Sequence, residues 1–332
     1  MSLKVFYAGS PEPSAALLET LIESGKSGNL WEIVGILTNP PSAKKRSATP
    51  TPTAVSEAAQ KHGIPVFTPE HLDSTFREQI APLNADIFVC FDYGHIFGPK
   101  FLSLFALGGV NLHPSLLPKY RGCTPVPAAI LNGDEKTGVS LQKIALAIDE
   151  GDILDCREIA LDGTETTESL MATDGAVVKN GAEMIQNVLT RIAQSENGGA
   201  FVLPAGKKQT GEASYTPFIS KQDGKIDWNC SAAHIERKIR AYTPWPQCFT
   251  KVGDKELKIL SAHVFTGDVS ALGNVSAMSA GTVAAVVKND GIVIKCKDGF
   301  LSATVLQWQA KKAADFKSFA NGARGFVGSV CI

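Results

Sequence analysis

Cysteine is sparse in this 332-residue chain: seven thiols, at positions 90, 123, 156, 230, 248, 296 and 331, include no C-x-x-C pair. An odd count without a pairing pattern argues against a disulfide framework and points to a reducing, cytoplasmic compartment. It also leaves a structural zinc site without ligands, so no metal is expected. No run of about 18 apolar residues occurs, which argues against a membrane-spanning helix. The N-terminus enters an apolar strand pattern without a charged leader, so export is not expected. Charge of one sign is lacking as well: 32 Lys and Arg against 33 Asp and Glu leave a net charge of -1. That balance excludes wholesale coating of nucleic acid, and any RNA contact must rest on local basic patches. There is no G-x-G-x-x-G after the first strand, so a dinucleotide is not indicated. Without a heptad pattern or an exposed apolar helix face, a monomer is the default expectation.

What is present reads as a soluble α/β chain. Hydrophobic content of 44% and charged content of 20% are ordinary for a globular protein, and the length suggests two domains. LKVFYAG at 3–9, followed by a helical stretch to about Ser24, gives the strand-loop-helix opening of a doubly wound sheet. WEIVGILTN at 31–39 reads as a second strand. The next segment, 40–53, contains Pro40, Pro41, Pro50 and Pro52 and carries Lys44, Lys45 and Arg46 on what must be an exposed loop. Helices are expected at 54–63 and 71–84, a buried strand running into a loop at 85–102, paired strands at 139–161, and one long helix over 167–194. Residues 201–217 show no periodicity and read as a linker containing Lys207 and Lys208. Beyond residue 214, one amphipathic helix containing Arg237, Lys238 and Arg240 precedes short alternating segments punctuated by glycine, which suggests a small β-barrel.

The chain is organised around GGVNLHPSLLPKYRGCTP at 108–125 and AIDEGDIL at 147–154. In a strand, side chains at i and i+2 share a face, so Asn111 and His113 aim an amide donor and a titratable imidazole at one point. Pro114 and Pro118 then end regular structure, leaving the pair at a strand's C-terminal end, where open α/β sheets place ligands. Taken alone, His113 reads first as a hydrogen-bonded structural residue, and Asp149 as a turn residue. Together, Asn111, His113 and Asp149 form a workable acid/base and oxyanion set.

NLHPSLLPKYRG at 111–122, NGDEKTGVS at 132–140 and IDEGDIL at 148–154 resemble the signature of the formyltransferases that use 10-formyltetrahydrofolate. ISKQDGKIDWNCSAAHIERKIRAYTPWP at 219–246 and YAGSPEPSAALLETL at 7–21 resemble the methionyl-tRNA members of that family. The resemblance implies a Rossmann-like formyltransferase domain over 1–200, a linker over 201–213 and an OB-like tRNA-binding domain over 214–332. It implies formyl transfer from 10-formyltetrahydrofolate to the amine of initiator methionyl-tRNA, with Asn111, His113 and Asp149 catalytic. Folate binding falls on Phe91, Asp92, Tyr93, Gly94, His95 and Ile96, joined by Ser115, Leu116, Leu117 and Pro118. Asp92 and His95 depart from the apolar or small residues usual in that loop. Contacts to tRNA fall on Lys44, Lys45, Arg46, Lys207, Lys208, Arg237 and Arg240, with Lys238, Lys311 and Lys312 as further candidates. Three alternatives stay open: a sugar-nucleotide N-formyltransferase, a formyltetrahydrofolate hydrolase domain, and a catalytically silent folate- or RNA-binding module.

Overall fold

The structure, a computed structural model, describes residues 2–43, 49–195, 200–323 and 325–332. Lys44, Lys45 and Arg46 lie outside the described residues. The chain separates into two compact units that interleave in sequence: Met1–Pro125, Lys136–Ala160 and Ser169–Pro217 form the first, and Val126–Glu135, Leu161–Glu168 and Phe218–Ile332 the second. No helix among the described residues is long and apolar enough to cross a membrane.

The strands are β1 (Leu3–Ala8), β2 (Trp31–Leu37), β3 (Val66–Phe67), β4 (Ile87–Cys90), β5 (Gly109–His113), β6 (Arg121–Gly122), β7 (Lys136–Lys143), β8 (Ile153–Ala160) and β9 (Tyr215–Thr216) in the first unit. Seven of them form one sheet in the order β3-β2-β1-β4-β5-β7-β8. The five strands from β3 to β5 are parallel, and β7 and β8 close the edge antiparallel. Apart from the half-buried Lys4, strands β1 and β4 are apolar, because helices cover both faces of a parallel sheet. The antiparallel edge matters for chemistry. It sets Asn111 opposite Gln142 and His113 opposite Ser140, so four polar side chains share one face.

The back of β5 is fixed by a close approach. A Cβ on Gly181, in helix Ala176–Gln194, would stand 2.2 Å from Leu112 Cδ2, so Leu112 seats directly on the helix backbone. That contact turns Asn111 and His113 to the opposite face. The helix expected over 167–194 is two pieces, Thr167–Leu170 and Ala176–Gln194. Gly175 breaks it with an extended backbone, in a spot where a Cβ would meet the Leu170 carbonyl at 2.5 Å.

The second unit carries β10 (Cys248–Val252), β11 (Lys255–Val264), β12 (Val283–Val287), β13 (Gly291–Lys295), β14 (Phe300–Trp308) and β15 (Ala314–Asp315). They form an antiparallel sheet in the order β10-β11-β14-β13-β12, with β15 on β14. Strand pairing does not close the expected barrel among the described residues. Instead, single bridges from Cys331 to Val252 and from Val330 to Thr282 run from the C-terminal segment to both ends of the sheet.

Candidate active site

The site grows from the C-terminal ends of β4 and β5 and from the turn between β7 and β8. Phe91, Tyr93 and Phe97 are buried, and Tyr93 and Phe97 anchor the loop after β4 in an aromatic cluster with Phe88 and Phe101. Phe97 meets Phe88 edge-on at 4.6 Å and stacks on Tyr93 at 5.7 Å. With those anchors inside, Asp92, Gly94, His95 and Ile96 are left exposed. Burial pushes the Tyr93 phenol up to about 12. Asp92 sits at φ 55, and although its surface is open, protein packed around its carboxyl raises its pKa. His95 Nε2 lies 2.9 Å from Asn39 Oδ1, while Asn39 donates to the Tyr93 carbonyl at 3.2 Å.

Ser115, Leu116, Leu117 and Pro118 form the loop after β5. Ser115 is fully buried and donates to the Lys119 carbonyl, and Ser140 Oγ bridges the Ser115 carbonyl at 2.7 Å and the Leu117 amide at 3.1 Å. A polar pair across β5 and β7 thereby holds the loop that leads from His113 to Tyr120.

The structure brings Asn111, His113 and Asp149 together. Asn111 Nδ2 donates to Asp149 Oδ1 at 3.4 Å, and His113 Nδ1 lies 3.4 Å from Asp149 Oδ2. Two shorter bonds reach the same carboxylate, from Gln142 Nε2 to Oδ1 at 2.7 Å and from the Gly122 amide to Oδ2 at 2.8 Å. His113 is only 4% exposed, and its Nε2 meets the Tyr120 carbonyl at 2.9 Å. A carbonyl only accepts, so Nε2 carries a proton and Nδ1 is the ring nitrogen turned toward Asp149. Burial lowers the His113 pKa; Asp149 and the Tyr120 carbonyl act the other way and offset only part of it. The arrangement is therefore a proton acceptor aimed through a carboxylate, beside an amide donor.

Sequence reasoning missed Gln142, Gln209 and Arg121. Gln142 had a signal: in VSLQ, Ser140 and Gln142 alternate with apolar residues, which puts both on one strand face. Gln209 had none, since it lies in the aperiodic stretch read as linker. Of the proposed RNA contacts, Lys207 and Lys208 are exposed in the first unit. In the second unit, Arg237 Nε donates to the Leu131 carbonyl, and Arg240 pairs with Glu236 and donates to the Glu165 carbonyl at 2.9 Å. Both arginines line a cleft of about 300 Å³ beside Asp134, Glu135, Asp162, Glu165 and Glu236, so carboxylates outnumber guanidiniums there. Lys238 donates to the Lys225 carbonyl, while Lys311 and Lys312 are exposed.

The chain matches the family description "Formyl transferase" over residues 1–189 and "Formyl transferase, C-terminal domain" over residues 218–324. It is 37% identical to methionyl-tRNA formyltransferase of Treponema denticola, covering 98% of both chains. Among solved structures it resembles HypX from Aquifex aeolicus in complex with tetrahydrofolic acid, with TM-score 0.62 and 16% identity, over 98% of this chain and 48% of that one. The chain thus spans about half the length of HypX. It also resembles an N-formyltransferase from Helicobacter canadensis in complex with folinic acid and dTDP-3-aminofucose, with TM-score 0.58 and 19% identity, over 91% and 99% of the two chains.

Proposed function

The chain belongs to the methionyl-tRNA formyltransferase family, and from that premise we propose that it moves the formyl group of 10-formyltetrahydrofolate to the amine of initiator methionyl-tRNA, in the cytoplasm and as a monomer. The observation that carries this reading is the convergence of Asn111, His113 and Asp149 at the end of β5. The bulk of residues 1–200 would hold the chemistry and the segment after 217 further contacts to tRNA, while 201–213, expected as a bare connection, lies with the first unit, which runs on to Pro217, and 126–135 and 161–168 lie with the second.

The folate supplies an activated formyl carbon, and the chain's own residues handle charge and protons around it. Asn111 has an amide hydrogen to spare beyond its long bond to Asp149, and donates it to the formyl oxygen as negative charge gathers there. Asp149 receives the proton leaving the attacking amine and passes it to His113 Nδ1. The resulting imidazolium is held between Asp149 and the Tyr120 carbonyl. The same proton returns through Asp149 to the leaving nitrogen. Because both ring nitrogens already face protein partners, His113 works through Asp149 rather than on the formyl oxygen.

The fit to a folate rests on the loop after β4. Its buried aromatics leave residues 94–96 exposed, while the carbonyls of Asp92 and Tyr93 already accept from the Ser10 amide and from Asn39, and we assign the pterin to the loop over 91–96 and to the Ser115–Pro118 loop. Lys44, Lys45 and Arg46, with Lys207 and Lys208, are assigned to the RNA backbone. Arg237 and Arg240 stay in that set as the less accessible members, since their donors already serve protein oxygens. The reading is tested by supplying 10-formyltetrahydrofolate together with charged initiator tRNA, and separately with a dTDP-amino sugar. Formylmethionyl-tRNA as product supports it; formylated sugar alone would overturn it in favour of the sugar-nucleotide alternative.

A further inference from the structure

We propose that Gln142 and Gln209 are positioning residues of the catalytic centre, fixing the side chain and the backbone of Asp149 separately, and that residues 207–217 are a strap of the active site. Asp149 has a left-handed backbone, φ 55, a conformation that Asp adopts at less cost than most non-glycine residues. Gln209 holds the turn there. Its Nε2 donates to the Asp149 carbonyl at 2.7 Å and to the Gly151 carbonyl at 2.9 Å, so one amide spans the turn. Its orientation is fixed, because Oε1 accepts from Arg121 Nε at 3.1 Å and Nη2 at 2.8 Å. Arg121 Nη1 is held in turn by Glu150 at 2.7 Å and the Tyr215 hydroxyl at 2.8 Å.

Gln142 does the same for the carboxylate. Only 2% exposed, it donates to Asp149 Oδ1 at 2.7 Å, and its Oε1 accepts from the Gly151 amide at 3.2 Å, which again excludes the flipped amide. The four donors and partners around the carboxylate thus fall into two classes. Gln142 and the Gly122 amide are short and set its place; Asn111 and His113 stand at 3.4 Å, with slack to follow the reacting groups.

The strap also braces the loop that carries Tyr120 and Gly122. Lys207 and Ile153 exchange both backbone bonds at 2.8 Å, and the Arg121 amide donates to the Ser214 carbonyl at 2.8 Å. Ser214 Oγ accepts from the Tyr120 amide at 2.9 Å, next to the carbonyl that fixes His113. β9 pairs with β6 through Arg121–Tyr215 and Gly122–Thr216. One segment therefore links the two loops that supply Asp149 and the partners of His113.

The inference rests on the transfer reaction proposed above. Its test uses the full chain with Gln209→Glu and Gln142→Glu, each keeping the accepting oxygen and removing the donor. If these glutamines merely dock the strap, Glu at 209 restores function, because it pairs with Arg121 at least as well. If they position Asp149, kcat falls about 10- to 100-fold while KM for tRNA and the melting temperature hold near wild type. Wild-type kcat in either variant overturns the proposal for that glutamine. Should a glutamate variant melt below the assay temperature, Gln142→Met brings no charge and must show the same loss; full activity in it also overturns the proposal. Wild-type enzyme is assayed alongside: its failure to transfer formyl removes the underlying reading, whereas equal transfer by wild type and variants removes only this inference.

Discussion

Substituting Gly151 by alanine tests whether the Asp149 turn has any freedom to move. A Cβ at position 151 would stand 1.7 Å from the Lys143 carbonyl oxygen and 2.7 Å from its carbon, although real Cβ contacts essentially never fall under 3.0 Å. The turn or the end of β7 must therefore shift by roughly 1.3 Å merely to reach that limit, and further before van der Waals contact is restored. Asp149 lies two residues away, and its short bonds to Gln142 and Gly122 do not survive a displacement of that size. Misplacing a catalytic group by about 1 Å costs on the order of 10²-fold in rate, and overpacking costs about 1–3 kcal/mol of stability. Steady-state formyl transfer and thermal melting on one preparation read both effects. Gly322→Ala is the control, because a Cβ there meets nothing within 4 Å. A Gly151→Ala enzyme with wild-type kcat and melting temperature would show that the turn is soft, and the positional argument for Asp149 would fail.

Other expectations follow from the same geometry. Asn111→Ala should lower kcat on the order of 10²-fold by removing an oxyanion donor while folate and tRNA still bind; near-native turnover would deny Asn111 that role. His113 is held neutral by burial, its pKa below the ordinary 6.5. On acidification through that value the unfolded chain takes up a proton that the native state resists, so stability is retained above it and lost below it. For one group the slope is at most about 1.4 kcal/mol per pH unit. Against His113→Gln, wild type should lose part of its stability advantage between pH 7 and pH 5; an advantage independent of pH contradicts the assignment. Alanine at Lys44, Lys45 and Arg46 should raise the KM for tRNA and flatten its salt dependence by up to about 2.7 in log–log slope, and an unchanged slope would return that loop to solvent.

The placement of Asn111 and His113 was legible because their spacing carries their geometry, whereas Asp149 was singled out by the family resemblance. Asn111 and His113 at i and i+2 had to share a face if the segment was a strand, and the two prolines marked where the strand ended. The sheet was legible in the apolar runs of β1 and β4, broken only by Lys4, which suit strands covered on both sides. What escaped were contacts made across long separations. Gln209 reaches Asp149 over 60 residues of chain, and nothing local distinguishes a glutamine in an aperiodic segment from a solvated one. The partners of Arg237 and Arg240 were equally out of sight. Basic residues on an amphipathic helix read as surface charge, yet these two turn back to carbonyls and to Glu236 in their own unit. The split at Gly175 was also invisible, because the close approach to the Leu170 carbonyl is a property of the folded chain.

In the proposed transfer Asp149 receives a proton within a fixed geometry, and the sharpest test is the single-turnover rate of Asp149→Asn with 10-formyltetrahydrofolate and charged initiator tRNA already bound. Asparagine keeps the shape of the side chain and removes its ability to take a proton. The formyl-transfer rate should fall on the order of 10³-fold or more, with both dissociation constants near wild type. A rate within a few-fold of wild type would contradict the account, because formyl transfer would then proceed without the carboxylate that the site is built to hold.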